Sequence, residues 1–112
     1  MPASCDISDR HCKPCEGGVA PLGPEETGKL LAGLEGWQLK EGRIEKNFTF
    51  ANHYKTMAFV NAVAWISHRE DHHPEMLVGY AECHVSYSTH AIGGLSENDF
   101  ICAAKVDRLL TV

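Results

Sequence analysis

Apolar and polar residues alternate along this chain in periods that change sharply from one stretch to the next. From Pro24 the pattern is helical: Leu30, Leu31 and Leu34 recur at apolar spacing, Glu25 and Glu26 favour the positive end, and Gly36 stops the run. These positions predict a first helix over 24–35. Trp37 and Leu39 then alternate with polar neighbours, Glu41-Gly42 supplies a turn, and Ile44, Phe48 and Phe50 resume the alternation, so a hairpin with one apolar face is expected.

Asn52 is a plausible cap, and from it to about Asp71 there is no Gly or Pro. Tyr54, Ala58, Phe59, Ala62, Val63, Trp65 and Ile66 form a broad apolar stripe, which predicts a long central helix ended by Pro74. The stretches 76–80 and 83–89 read as two more strands, the second setting Cys83, Val85 and Tyr87 against His84, Ser86 and Ser88. Ser96 and Asp99 form an S-x-x-D capping box, with Leu95 and Phe100 at the positions of a hydrophobic staple. The last helix should therefore start near Glu97 and turn Ile101, Val106, Leu109 and Leu110 toward the core.

The resulting order is helix, strand, strand, helix, strand, strand, helix. It predicts an α+β fold, a four-stranded antiparallel sheet with helices on one face. Ahead of it, residues 1–23 are rich in Gly, Pro, Ser, Asp and Cys and show neither period; they read as a flexible arm, of which 1–18 should be removable without loss of fold, before a single domain over 24–112.

Composition narrows the partners. A chain of 112 residues with 44% hydrophobic content suits one core, and so small a domain with two open sheet edges is expected to pair with itself as a homodimer or homotetramer. A net charge of -5 argues against a nucleic-acid surface. No apolar run approaches the about 20 residues that span a bilayer, and 1–13 is polar where a secretion signal would be apolar, so a cytoplasmic protein is expected. Five cysteines, an odd number, are expected to remain thiols there. Cys83 and Cys102 fall inside apolar patterns as small core residues. Cys12-Lys13-Pro14-Cys15, with Cys5 and His11 nearby, reads first as part of the arm and second as a metal site, because a lone C-x-x-C is weak evidence.

Seven histidines is a high count for this length. His68, His72, His73 and His90 sit at or just beyond element ends, where sites are commonly built. His68 and His72, four apart, would share a helix face, with His72 in the last turn, while Pro74 turns His73 elsewhere. Imidazoles exchange protons near neutral pH, so the cluster can supply both an acid and a base. The same pattern also fits histidines that merely hydrogen-bond at element ends, or a zinc pair at His68 and His72, although Arg69 stands where the H-E-x-x-H motif needs glutamate.

The run Asp71-His72-His73-Pro74-Glu75, followed by Tyr80, His84, Ser88-Thr89-His90 and Gly94-Leu95-Ser96-Glu97-x-Asp99, resembles the pterin-4a-carbinolamine dehydratases over residues 24–112. The resemblance implies the same helix and hairpin order, and a lyase that converts 4a-hydroxytetrahydropterin to quinonoid dihydropterin and water, in recycling of the pterin used by aromatic amino acid hydroxylases. It implies His72 and His90 as the proton-transfer pair, His73 as the group that holds the pterin, Ser88, Thr89 and Asp99 as substrate contacts, and no metal or cofactor. Where many relatives carry a glutamate before the double histidine and an aromatic residue after Pro-Glu, this chain has His68 and Met76, which bears on the fit of the pocket. A binding or regulatory module of the same fold, or a protein acting on another pterin such as one of molybdenum-cofactor metabolism, is the alternative.

Overall fold

A computed structural model describes residues 7–14 and 20–111. Helix α1 is Pro24–Ala32, with proline in its first turn; it stops three residues before the expected boundary, because Gly33 caps it with its N–H on the Leu30 and Leu31 carbonyls. The chain then folds Leu34 and Trp37 into the core. Strands β1 (Gln38–Lys40) and β2 (Arg43–Thr49) pair across Glu41 and Gly42, whose φ values of 50° and 79° give the two positive-φ positions that a tight hairpin turn with the native strand twist requires.

Helix α2 is His53–Glu70, begun by the Asn52 side chain accepting from the Lys55 N–H at 2.9 Å. Its buried residues, Thr56, Phe59, Val63 and Glu70, lie within one narrow arc. Tyr54 and Trp65, expected in the core, are 85% and 60% exposed: at about 100° per residue they fall on the side opposite Phe59 and Val63. The helix is thus apolar on two sides, and only one meets the sheet.

Strands β3 (Glu75–Val78) and β4 (Glu82–Tyr87) follow, and the sheet order is β1-β2-β4-β3 with every neighbour antiparallel. Both strands are shorter than the alternation suggested. Cys83, Val85 and Tyr87 are fully buried on the helix side with Ile44 and Phe48, while Leu77, on the opposite face, is 76% exposed. Helix α3 is Glu97–Arg108 and carries both halves of the capping box, with Leu95 and Phe100 buried beside it. Leu110, expected to face the core, is exposed, because after Arg108 the chain tightens into a 3-10 turn, Leu109–Thr111, that rotates it off the buried face.

The described part of the N-terminal segment packs on α3. Ile7 and Cys12 rest against the core, Lys105 Nζ donates to the Ser8 carbonyl at 2.8 Å, and Arg108 donates to Ser8 Oγ and Asp9 Oδ1. Residues 7–14 are thus docked although the segment has no apolar period: Ile7 and Cys12 meet the core, and Lys105 and Arg108 of α3 hold Ser8 and Asp9.

The capping box gives a first prediction. Ser96→Ala removes the acceptor for the Asp99 N–H and a partner of Thr89 at 2.7 Å, and should lower stability by about 1–2 kcal/mol. Urea unfolding followed by circular dichroism checks it; an unchanged midpoint would mean that the box contributes nothing.

Candidate active site

Helix α2 does not run on to Pro74. Asp71 takes the left-handed conformation (φ 53°, ψ 43°), its N–H and that of His72 both return to the Ser67 carbonyl, and the chain leaves the helix axis. His72 consequently sits beyond the last turn, contrary to the reading that it shares a helix face with His68. His68 instead stacks on Trp65 in an exposed position, so the two do not converge.

Released from the helix, His72 turns inward. Its Nε2 lies 2.6 Å from Asp99 Oδ1, and its ring stacks on that of Tyr87 at 5.8 Å between centroids. Asp99 is wholly buried, and its other oxygen accepts from the Ser96 N–H at 3.0 Å and from the Thr89 hydroxyl at 2.8 Å. With that hydroxyl committed, Ser96 Oγ–H is left to donate to Thr89 Oγ1. A carboxylate can only accept, so Nε2 is the nitrogen that carries the proton, and in neutral His72 the free lone pair is on Nδ1. Burial, with Cys102, Cys12 and Asp99 close by, pushes the Tyr87 phenol above its ordinary value, so the ring beside His72 stays neutral.

His73, Ser88, Thr89 and His90 join His72 in the wall of one cavity of about 830 Å³. His90 opens a 3-10 turn, His90–Ile92, rather than ending a strand, and the loop is closed by Thr89 and Gly94, the Thr89 N–H donating to the Gly94 carbonyl at 2.8 Å. A Cβ at Gly94 would meet Pro21 at 2.8 Å, so only glycine lets the loop lie this close. Asp99 is not in the wall. With no exposed surface and both oxygens engaged, it stands behind His72.

The remaining wall was not legible in the sequence. Residues 12–14 form one side of it together with Arg69, Glu70 and Asn98. Glu70 is buried and accepts from the Cys12 N–H at 2.7 Å, with His11 Nδ1 at 3.0 Å and Lys105 Nζ at 3.7 Å. Burial pushes its carboxyl up, but the Cys12 N–H, His11 and Lys105 together outweigh this and hold it below its ordinary value. Cys12 Sγ lies 3.5 Å from Cys102 Sγ; that contact and burial push the Cys12 thiol far up, so it is held as the thiol. No local pattern ties residue 12 to residues 70 and 102, so the sequence, which marks Cys12 for the arm and Cys102 for the core, does not bring them together.

The other histidines belong elsewhere. His53 stacks on Tyr80 and His84 faces Glu45 across the sheet. Among the described residues no group of three or more His, Cys, Asp or Glu gathers as a metal-ligand set, and Cys5 and Cys15 lie outside the described residues. No helix among the described residues is long and apolar enough to cross a membrane.

Fold and site define a small α+β domain in which the segment leaving α2 and the loop after β4 bring imidazoles to one cavity, one of them fixed by a buried carboxylate. Residues 20–109 match the family model described as pterin 4 alpha carbinolamine dehydratase, and the chain belongs to that family. A protein of Nitrosomonas eutropha named "Putative pterin-4-alpha-carbinolamine dehydratase" is 70% identical over 107 residues, covering 95% of each chain. A crystal structure of a transcriptional coactivator/pterin dehydratase from Brucella melitensis matches with a TM-score of 0.77 at 28% identity, over 80% of this chain and 97% of that one. A pterin dehydratase-like protein identified as a RuBisCO assembly factor in the alpha-carboxysome matches with a TM-score of 0.56 at 28% identity, over 65% of this chain and 84% of that one.

Proposed function

We propose that this protein is a hydro-lyase that removes water from 4a-hydroxytetrahydropterin to give quinonoid dihydropterin, in the recycling of the pterin used by aromatic amino acid hydroxylases. The observation that carries the proposal is the His72–Asp99 pair, set in the same cavity wall as His73 and His90. Loss of water needs a proton delivered to the C4a hydroxyl as the C–O bond breaks and a proton removed from N5. His72 takes the N5 proton on Nδ1, and the Asp99 carboxylate on Nε2 stabilises the imidazolium that forms. His90, on the loop, delivers the proton to the departing hydroxyl. His73 holds the ring, with Ser88 and Thr89 beside it. No proton is consumed overall, and exchange with solvent restores both imidazoles.

Stopped-flow measurement of the disappearance of 4a-hydroxytetrahydropterin tests this. The protein should accelerate it well beyond the spontaneous rate, and an unaltered rate would return the chain to the class of non-catalytic modules. His73→Ala should raise KM by about tenfold while leaving kcat within about twofold, since it removes binding rather than a proton carrier. A fall in kcat at constant KM would reassign His73 to the chemistry.

A second reading, that the chain binds another protein, draws on the exposed apolar side of α2 at Tyr54 and Trp65 and on the edge strand β3 with Leu77 exposed. We assign these surfaces to self-association as a homodimer or homotetramer. Light scattering that returned a monomer at micromolar concentration would favour a foreign partner instead.

A further inference from the structure

We infer that residues 12–14, which precede the family domain, form a substrate-contacting wall of the pterin site, and that Glu70 and Asn98 are the positioning residues that hold it. The inference rests on the dehydratase reading and adds to it a part of the site that the family match, beginning at residue 20, does not contain.

The hydrogen bonds are directed at the backbone of the segment. The Lys13 N–H donates to Asn98 Oδ1 at 3.0 Å and Asn98 Nδ2 donates to the Lys13 carbonyl at 2.6 Å, so a single amide side chain pairs with residue 13 as a neighbouring strand would. One residue earlier the Cys12 N–H donates to Glu70 Oε1. Both anchors are buried, and a buried polar group that lost its partner would carry the full cost of desolvation. The segment is therefore fixed at two successive residues, and Cys12 adds a third point where its sulfur meets Cys102.

The position of the anchors matters more than their number. Glu70 is the last residue of α2, two before His72, and Asn98 is adjacent to Asp99 at the start of α3. The two helix ends that set the His72–Asp99 pair thus also hold the segment, and Cys12, Lys13 and Pro14 line the same cavity as His72, His73 and His90. The Brucella melitensis chain is matched over 97% of its own length yet covers only 80% of this one, whereas the Nitrosomonas eutropha relative aligns over 95% of both. An alignment over 95% of this chain includes residues 12–14, so the 70%-identical relative has a counterpart of the segment.

A wall that contacts bound pterin without moving protons should act on affinity and leave turnover alone. The test uses the full chain and two readouts: kcat and KM for dehydration, and the Kd of 7,8-dihydropterin by fluorescence titration. Asn98→Ala and Glu70→Ala should each raise KM and Kd by about tenfold with kcat within about twofold. Glu70→Gln keeps an oxygen for the Cys12 N–H and should stay within about threefold of wild type. Pro14→Gly and Lys13→Ala leave the anchors in place and decide the matter if an anchor variant fails to fold; together they should raise Kd at least threefold. Unchanged KM and Kd in folded variants, or a loss confined to kcat, would overturn the inference. A wild-type protein that bound dihydropterin but did not accelerate dehydration would overturn the catalytic reading alone, and the Kd series would still judge the wall.

Discussion

Replacing both His72 and His90 with alanine is expected to bring the dehydration rate close to the uncatalysed one, while the protein stays folded. Each imidazole lines the cavity on a different element, His72 beyond the end of α2 and His90 on the loop after β4, so neither is needed to hold the other in place. A positioned general acid or base is worth about a hundred- to ten-thousand-fold. Each single variant should fall within that range, and the double variant should fall below both, though by less than the product, because groups that act in one step are not additive. His53→Ala and His84→Ala, whose rings sit on Tyr80 and beside Glu45, serve as controls with little effect expected. Wild-type turnover in the folded double variant would rule out this mechanism.

Asp99→Asn is expected to be nearly as damaging to turnover, for a reason that lies in the proton and not in the fold. The asparagine oxygen can still accept from the Ser96 N–H and the Thr89 hydroxyl, which keeps the helix cap. Its amide then faces His72 Nε2 as a donor. Nε2 must accept, the proton of the neutral ring moves to Nδ1, and the lone pair that would take the substrate proton is lost. A loss of about a hundredfold or more in kcat should follow, as expected where a carboxylate fixes a histidine tautomer. Asp99→Ala adds a structural penalty of about 2–4 kcal/mol, since it leaves the Ser96 N–H and Thr89 hydroxyl buried without their acceptor. Comparing kcat with the thermal midpoint of the two variants separates the effects. Equal kcat in Asp99→Asn and wild type would show that Asp99 serves only as a cap.

Sequence by itself determined the order of elements, the two hairpins, the capping box and the nomination of His72, His73 and His90, because each rests on local rules: side-chain period, turn chemistry, and the geometry that proline forbids. The resemblance carried by H-H-P and S-T-H also pointed to the family that the comparison of residues 20–109 shows. Tertiary structure alone decided what those rules cannot reach. A left-handed Asp71, invisible in a helical period, took His72 off the helix and parted it from His68. The Asp99 carboxylate proved to serve a cap and a histidine at once, since its two oxygens face elements 27 residues apart in one case and three in the other. Only one side of α2 met the sheet, so Tyr54 and Trp65 stayed exposed although their hydrophobicity matched that of the core. Residues 12–14 became part of the cavity through hydrogen bonds to residues 70 and 98, pairings across 58 and 85 positions that no period along the chain encodes and that exist only once α2 and α3 are packed.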